Sequence, residues 1–363
     1  MRELLEKLIS MKTVTSDLAA QEKALQWIGG QLSYTNLVMH EFLHNGVPST
    51  FWSAKGQRIP RLLLAAHLDV VPACDEQFNP RRVGTRLFGR GAIDMKFAIA
   101  CYLTFFEELS SSIHSLDIGL MITTDEETGG QNGACKIAEL GYGGKTVFLP
   151  DGGSAWEMEE RAKGMYHFEV ISRGRSVHAA CPWDGVDPMP VLMKALQDIY
   201  ALAPSEPCGD VGHTHPSISV GRIFGGDAGN QVAESFHALI DVRCFEEDRE
   251  RIHTGLVEIA ARHECISVKS VVEAAPYEND LAHLDFKLFR TIAQRKGITV
   301  GTVSAHGSSD ARFFTAKGMP VLLVSPLGDG HHSADEWIDL DDLATYYEIF
   351  KEWAIEVSSQ SKE

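Results

Sequence analysis

The chain has 363 residues, 44% of them hydrophobic and 23% charged, with a formal net charge of −17. Nucleic acid and anionic membrane surfaces both demand a basic face, so this balance argues against either partner, and no segment approaches the run of about eighteen apolar residues that a membrane helix needs. The length is more comfortable as two domains than as one.

The first stretch, MRELLEKLISMKTVTSD, reads as an amphipathic helix with acidic residues inside it. It lacks the basic, apolar and small-residue order of a secretory signal, so a cytoplasmic location is expected. Ser16 is a candidate cap for a helix over DLAAQEKALQWIGGQL, where Leu18, Leu25, Ile28 and Leu32 recur at helical spacing. The apolar run at 62–66 reads as a buried parallel strand that delivers His67 and Asp69 to its carboxyl end, where open α/β sheets keep their sites. A helix over Lys96–Leu109 follows GRGAIDMK, so Asp94 stands just before it. IGLMITT (118–124) and TVFLP (146–150) read as two more buried strands, the first followed at once by DEETGG and the second by Asp151.

From Gly164 the pattern changes to the alternation of a half-buried strand, with Tyr166, Phe168 and Val170 on one face. Helix is expected over 190–202 and 248–263, and strand over 217–224, 236–245 and 266–272. The order βαββαβ is that of a ferredoxin-like domain, an antiparallel sheet with two helices on one face, inserted at 164–273. The first domain, 1–163, resumes over 274–363 with a helix at 281–296, buried strands at ITVGTV and PVLLVS, and a closing helix at 340–357. The final SSQSKE is expected to be disordered. Seven widely spaced cysteines without a Cys-x-x-Cys pair read as free thiols of a reducing compartment.

Strand ends and loops thus offer His67, Asp94, Glu126 with Glu127, and Asp151, and DGHHSADEW adds His331 and His332. Buried carboxylates repel one another, and each costs several kcal/mol unless neutralised, so their convergence calls for cations. Mixed imidazole and carboxylate donors suit Zn²⁺ or a similar ion. Two such ions, sharing one bridging carboxylate, are served by two histidines, Asp94, one glutamate and Asp151, and the spare glutamate is placed to act as a general base. In a strand His67 and Asp69 would share a face, so the Asp69 carboxylate is expected to hold the imidazole in one tautomer.

AHLDVVP, GRGAIDMK, TTDEETGG and GDGHHSADEW together resemble, in order and spacing, the metallopeptidase family that includes acetylornithine deacetylase, succinyl-diaminopimelate desuccinylase, glutamate carboxypeptidase and several aminoacylases and dipeptidases. The resemblance covers nearly the whole chain. It implies a zinc-peptidase-like catalytic domain with a mostly parallel sheet and makes the inserted domain a lid and dimerisation domain. It also implies that Asp94 bridges two metals, with His67 and Asp151 on one, Glu127 and His332 on the other, and Glu126 as base. Asp151 stands where many members carry glutamate followed by proline. Within the lid, GRSVHAACP resembles the stretch whose histidine, His178 here, stabilises the oxyanion, in dimeric members across the subunit boundary. Asn230 and Arg243 match positions that hold the substrate carbonyl and carboxylate, and an Arg fork is a natural carboxylate receptor. GSSDARF resembles a substrate loop, with Ser308, Ser309 and Arg312 as contacts.

The resemblance implies a dimeric two-metal hydrolase of N-acyl amino acids, of the acetylornithine or succinyl-diaminopimelate type, with Zn²⁺ the first choice and Co²⁺ or Mn²⁺ also suited. A carboxypeptidase or dipeptidase is the alternative within the same chemistry. A non-catalytic binding protein would have no use for Glu126, and GRGAID lacks the Gly-x-Gly-x-x-Gly spacing of a dinucleotide site.

Overall fold

A computed structural model describes residues 1–204 and 212–359. The chain forms two units, one of Met1–Glu160, Glu278–Val303 and Ser309–Glu363, the other of Arg161–Tyr277 and Ser304–Ser308. The second unit is wider than 164–273 and takes in Ser304–Ser308. Strands Glu157–Ala162 and Gly301–Ala305 run straight through the dividing points, so no break in hydrophobic pattern marks them.

The first unit is built on a six-stranded sheet in the order Val38–His44, Val47–Ser53, Ile118–Thr123, Leu62–His67, Thr146–Phe148, Val321–Leu322. The last four strands run parallel, and Leu62–His67 and Ile118–Thr123 are buried throughout, which is why they read as unbroken apolar runs. Helix Lys96–Glu108 is buried along its first eleven residues, and its Tyr102 and Phe105 meet Phe350 of the closing helix Leu340–Ser359 at ring-centroid distances of 5.6 and 5.5 Å. Phe148 stacks on Phe350 at 5.2 Å and meets Trp353 at 5.1 Å, an aromatic core behind the sheet.

The second unit has strands Gly164–Arg173, Ser217–Gly225, Ser235–Cys244 and Ile266–Ala274, all antiparallel, with helices Met189–Tyr200 and Glu246–Arg262. Phe168, Val170, Ile240 and Val242 of the sheet pack against Leu192, Ile199, Leu256 and Ile259 of the helices. This is the expected ferredoxin-like arrangement.

Some local expectations change. Helix Leu18–Leu32 is capped by Asp17, whose carboxylate accepts the Ala20 amide at 3.0 Å, and not by Ser16. ITVGTV was expected as a buried strand, but the strand is Gly301–Ala305 and only half-buried. The hairpin Val38–Ser53, turning at Asn45 and Gly46 with φ of 50° and 83°, has no counterpart in the sequence reading. Six cysteines are free thiols; Cys208 lies outside the described residues. Of the tail SSQSKE, Ser358 and Ser359 complete the last helix, and 360–363 lie outside the described residues.

Candidate metal centre

Sheet register sets the site. Leu64 pairs with Phe148, which puts His67 and Asp151, each three residues further on, at the same height past two neighbouring strands. His67 itself pairs with Thr123, so Asp125, Glu126 and Glu127 emerge just beyond it on the other side. A second, four-stranded sheet in the order Gly328–Asp329, Trp337–Asp339, Arg86–Phe88, Arg81–Val83 ties the loop bearing His332 to the segment leading into Asp94.

Asp94 divides its carboxylate between two histidines: Oδ1 lies 3.0 Å from Nε2 of His67 and Oδ2 3.1 Å from Nε2 of His332. His67 Nε2 is also 3.5 Å from Asp151 Oδ1, and His332 Nε2 is 3.0 Å from Glu127 Oε2. Donor atoms of His67, Asp94 and Glu127 lie within 4.8 Å of one another, and so do those of His67, Glu126 and Asp151. His67, Asp94, Glu126, Glu127, Asp151 and His332 are therefore brought together. Of the two adjacent histidines, it is His332 that reaches Asp94 and Glu127; its backbone sits at φ 61°, a left-handed conformation that non-glycine residues rarely adopt.

The electrostatics show what the pocket lacks. Burial lowers the pKa of His67, but hydrogen bonds to Asp151, Asp69 and Asp94 outweigh it and raise the value well above that of ordinary imidazole. Bonds to Asp94 and Glu127 push His332 up to about 10. Burial, and then the charge of Asp151, lift Glu126 well above the usual carboxylate range. The histidines are drawn towards their cationic form because four carboxylates demand positive charge. The donor set, two imidazoles with four carboxylates, fits divalent cations.

Asp69 meets His67 through both its backbone and its side chain. Nδ1 of His67 donates to the backbone carbonyl of Asp69 at 3.0 Å, with the carboxylate further off at 3.5 Å. The strand ends at His67, so strict alternation does not extend to Asp69. A carbonyl only accepts, so Nδ1 carries the proton and Nε2 keeps its lone pair for a cation. The Asp69 carboxylate, fully buried, also accepts the amides of Glu126 and Glu127, both at 3.2 Å, and the Thr15 hydroxyl at 2.9 Å. It fixes the turn that carries both glutamates.

Sequence reasoning missed Glu336, whose buried carboxylate accepts from Arg90 Nη1 at 2.7 Å and from the amides of Gly91, Ile93 and Asp94 at 2.9, 3.0 and 3.2 Å. Arg90 also donates to the Ser333 carbonyl at 3.0 Å. Lys96 was missed as well: fully buried, it donates to the carbonyls of Leu8 and Met11 at 3.1 and 2.8 Å, and burial pulls its pKa down to about 7. Arg90, Lys96 and Glu336 all lie within the quoted motifs, so the signal was present as residues without assigned work.

The remaining expected residues divide between the two units. In the second unit His178 forms a bridge with Gln231, and the Asn230 carbonyl accepts the Ala179 amide at 2.9 Å, so the His178 and Asn230 loops run together. Arg243 spends its fork on Asp241 at 2.7 and 3.0 Å. Ser308 belongs to the second unit. Ser309 is buried and its hydroxyl accepts the Ala311 amide at 3.1 Å, while Arg312 donates to the carbonyls of Ser309 and Gly129.

Comparison with known proteins gives the family and the fold. The model of peptidase family M20/M25/M40 matches residues 63–356. A succinyl-diaminopimelate desuccinylase of Marinobacter nauticus is 26% identical over 381 residues, covering 98% of each chain. A tripeptidase from Staphylococcus aureus is similar at a TM-score of 0.80, with 18% identity over 99% of this chain and 98% of its own. A dinuclear metal-binding M20 peptidase from Bacillus subtilis is similar at 0.70, with 17% identity over 99% and 100%. At these identities the two solved structures show the shared fold.

Proposed function

The chain belongs to peptidase family M20/M25/M40, a family of hydrolases acting on amide bonds, and we propose that within it the protein is a two-metal hydrolase of small N-acyl amino acids, N-succinyl or N-acetyl. The observation that carries this reading is Asp94 with one oxygen towards each of His67 and His332. A carboxylate shared in this way would serve as a bridge if two cations were held there. The full-length likeness to a desuccinylase favours the acyl substrate.

His67, Asp94 and Asp151 would hold one cation and Asp94, Glu127 and His332 the other, Zn²⁺ first and Co²⁺ or Mn²⁺ as alternatives. When bound, such ions polarise the scissile carbonyl and acidify water. Glu126 is one carboxylate more than those ligand places need. It takes the proton of the attacking water as the oxygen adds to the amide carbon, then returns it to the nitrogen as the C–N bond breaks, leaving a free amine and a carboxylate. The Asp69 carboxylate keeps the Glu126 backbone in place through its amide. Burial first and then the charge of Asp151 raise Glu126, so a cation held by Asp151 would offset the second of these and favour the ionised form a base requires.

The lid residues complete the reading: His178 as oxyanion donor, serving the partner's site in a twofold dimer, Asn230 for the substrate carbonyl, and Arg243, released from Asp241, for the carboxylate, with Ser308 and Ser309 as lesser contacts. Peptide substrates are the second reading, since the fold is shared with a tripeptidase.

Amine release from N-succinyl, N-acetyl and N-formyl amino acids and from dipeptides, each with Zn²⁺, Co²⁺ and Mn²⁺, tests the proposal. Cleavage of an acylated amino acid in preference to dipeptides supports it, the reverse preference moves it to the peptidase reading, and full activity in metal-free protein refutes both. For the lid, a mixed dimer of Glu126→Ala with His178→Ala holds one intact site, so random subunit exchange should return roughly a quarter of wild-type activity. No return after confirmed exchange removes His178 from the partner's site.

A further inference from the structure

The turn Asp125–Gly130 is gripped on one side by Asp69, which takes the amides of Glu126 and Glu127. It is gripped on another by Arg312. Nη2 of that guanidinium donates to the Gly129 carbonyl at 2.7 Å and Nη1 to the Ser309 carbonyl at 2.8 Å, so a single planar fork ties the turn to the start of helix Ala311–Thr315. The side chain is not presented to solvent, since Arg312 is only 6% exposed. Its neighbour Asp310 closes the same joint. Oδ1 of Asp310 lies against the Cα of Gly130 so tightly that a β-carbon there would come within 2.0 Å of it, and Gly130 is already in the left-handed region at φ 61°.

A receptor for a substrate carboxylate needs both fork donors directed into the binding space. Here the terminal nitrogens face two backbone carbonyls, and the one on Gly129 lies two residues from Glu127. We infer that Arg312, with Asp310 wedged beside it, is a positioning residue: it holds the turn so that Glu126 and Glu127 keep their directions, and it does not meet the substrate. The inference rests on the proposed roles of Glu126 as base and Glu127 as metal ligand. Lysine cannot replace the fork, because one ammonium on a flexible stem does not span two fixed carbonyls with a planar pair of donors.

The test compares Arg312→Lys and Arg312→Ala with wild type in three readouts: Zn²⁺ binding by calorimetric titration, deuterium exchange of the amides of 126–130, and kcat and KM on the best substrate of the panel. Loss of a group that orients a ligand typically costs 10- to 100-fold in metal affinity or activity. Both variants should therefore lose about that factor in Zn²⁺ affinity and in kcat, with KM within about threefold of wild type. Exchange should quicken at 126–130, and low millimolar guanidinium should partly restore the Arg312→Ala variant. A rise in KM with Zn²⁺ affinity and exchange unchanged would overturn the inference in favour of a substrate contact. No change in any readout would overturn it too. If Arg312→Ala does not fold, Arg312→Lys decides by the same measurements. Metal binding and exchange need no turnover, so the inference stands or falls separately from the proposed reaction if no amide in the panel is cleaved.

Discussion

Glu336→Gln changes one atom and keeps the shape, yet the structure predicts a large effect. The carboxylate meets four donors, Arg90 Nη1 and the Gly91 amide on Oε2 and the Ile93 and Asp94 amides on Oε1. A glutamine must turn an NH₂ towards one of these pairs, which removes two hydrogen bonds to a charged acceptor and sets donor against donor. At ~1.5–3 kcal/mol for each such bond the loss is about 3–6 kcal/mol. An independent estimate agrees, since breaking a buried ion pair such as Arg90–Glu336 costs about 3–5 kcal/mol. Against a typical domain stability of about 5–15 kcal/mol this is a large share. Urea unfolding of metal-free wild type and variant measures it directly. The same change loosens the Asp94 amide and, through Arg90, the Ser333 carbonyl beside His332, so Zn²⁺ affinity should fall by about 10- to 100-fold. A loss of under about 1 kcal/mol, within the spread of ordinary surface changes, would refute the four-donor argument.

Glu126→Gln should lose several orders of magnitude in kcat while Zn²⁺ titration stays near wild type, whereas Glu127→Gln should lose Zn²⁺ affinity as well; the opposite pattern would exchange their roles. Chelation should abolish turnover and lower the Tm, because a ligand present at a thousand times its Kd stabilises the folded state by about 4 kcal/mol; a Tm indifferent to chelator would contradict the reading of the carboxylate cluster. Asp285, buried and paired to Arg61 at 2.7 and 2.8 Å, has a pKa that burial raises but that bonds from Arg61 and Thr146 lower on balance. A depressed carboxylate contributes stability above its unfolded pKa of about 4 and loses it as pH falls through the lower folded value. Asp285→Asn should therefore cost about 3–5 kcal/mol at pH 7 and flatten the acid limb of the stability curve, and an unchanged limb would show that the pair does not titrate as described.

The parts of the fold that were legible are those where one force dominates over a long enough window. LLLAA and IGLMIT are buried on both faces and could hardly be anything but inner parallel strands, and the chemistry at their ends followed from which residues came next. The hairpin at Asn45–Gly46 carries a strong turn dipeptide, but strand Val38–His44 has no fully buried residue and exposes Val38, Met39 and Leu43, so its apolar pattern does not mark a core face. The sheet that places His332 was beyond reach, because its strands are two or three residues long, too short for any period, and Trp337–Asp339, paired locally with Gly328–Asp329, finds Arg86–Phe88 across some 250 residues of chain. Glu336 shows the same limit in chemical form. In DEW it looks like surface charge, and only the folded loop reveals that its partners are three backbone amides and Arg90. His332 marks where local rules yield to the site: a histidine at φ 61° costs of order 1–3 kcal/mol, and what holds it is remote, through Asp94 and Glu127 on one side and the Arg90–Ser333 bond on the other. Strain of this kind is expected where a side chain must be aimed at a ligand that the local backbone would not choose to face.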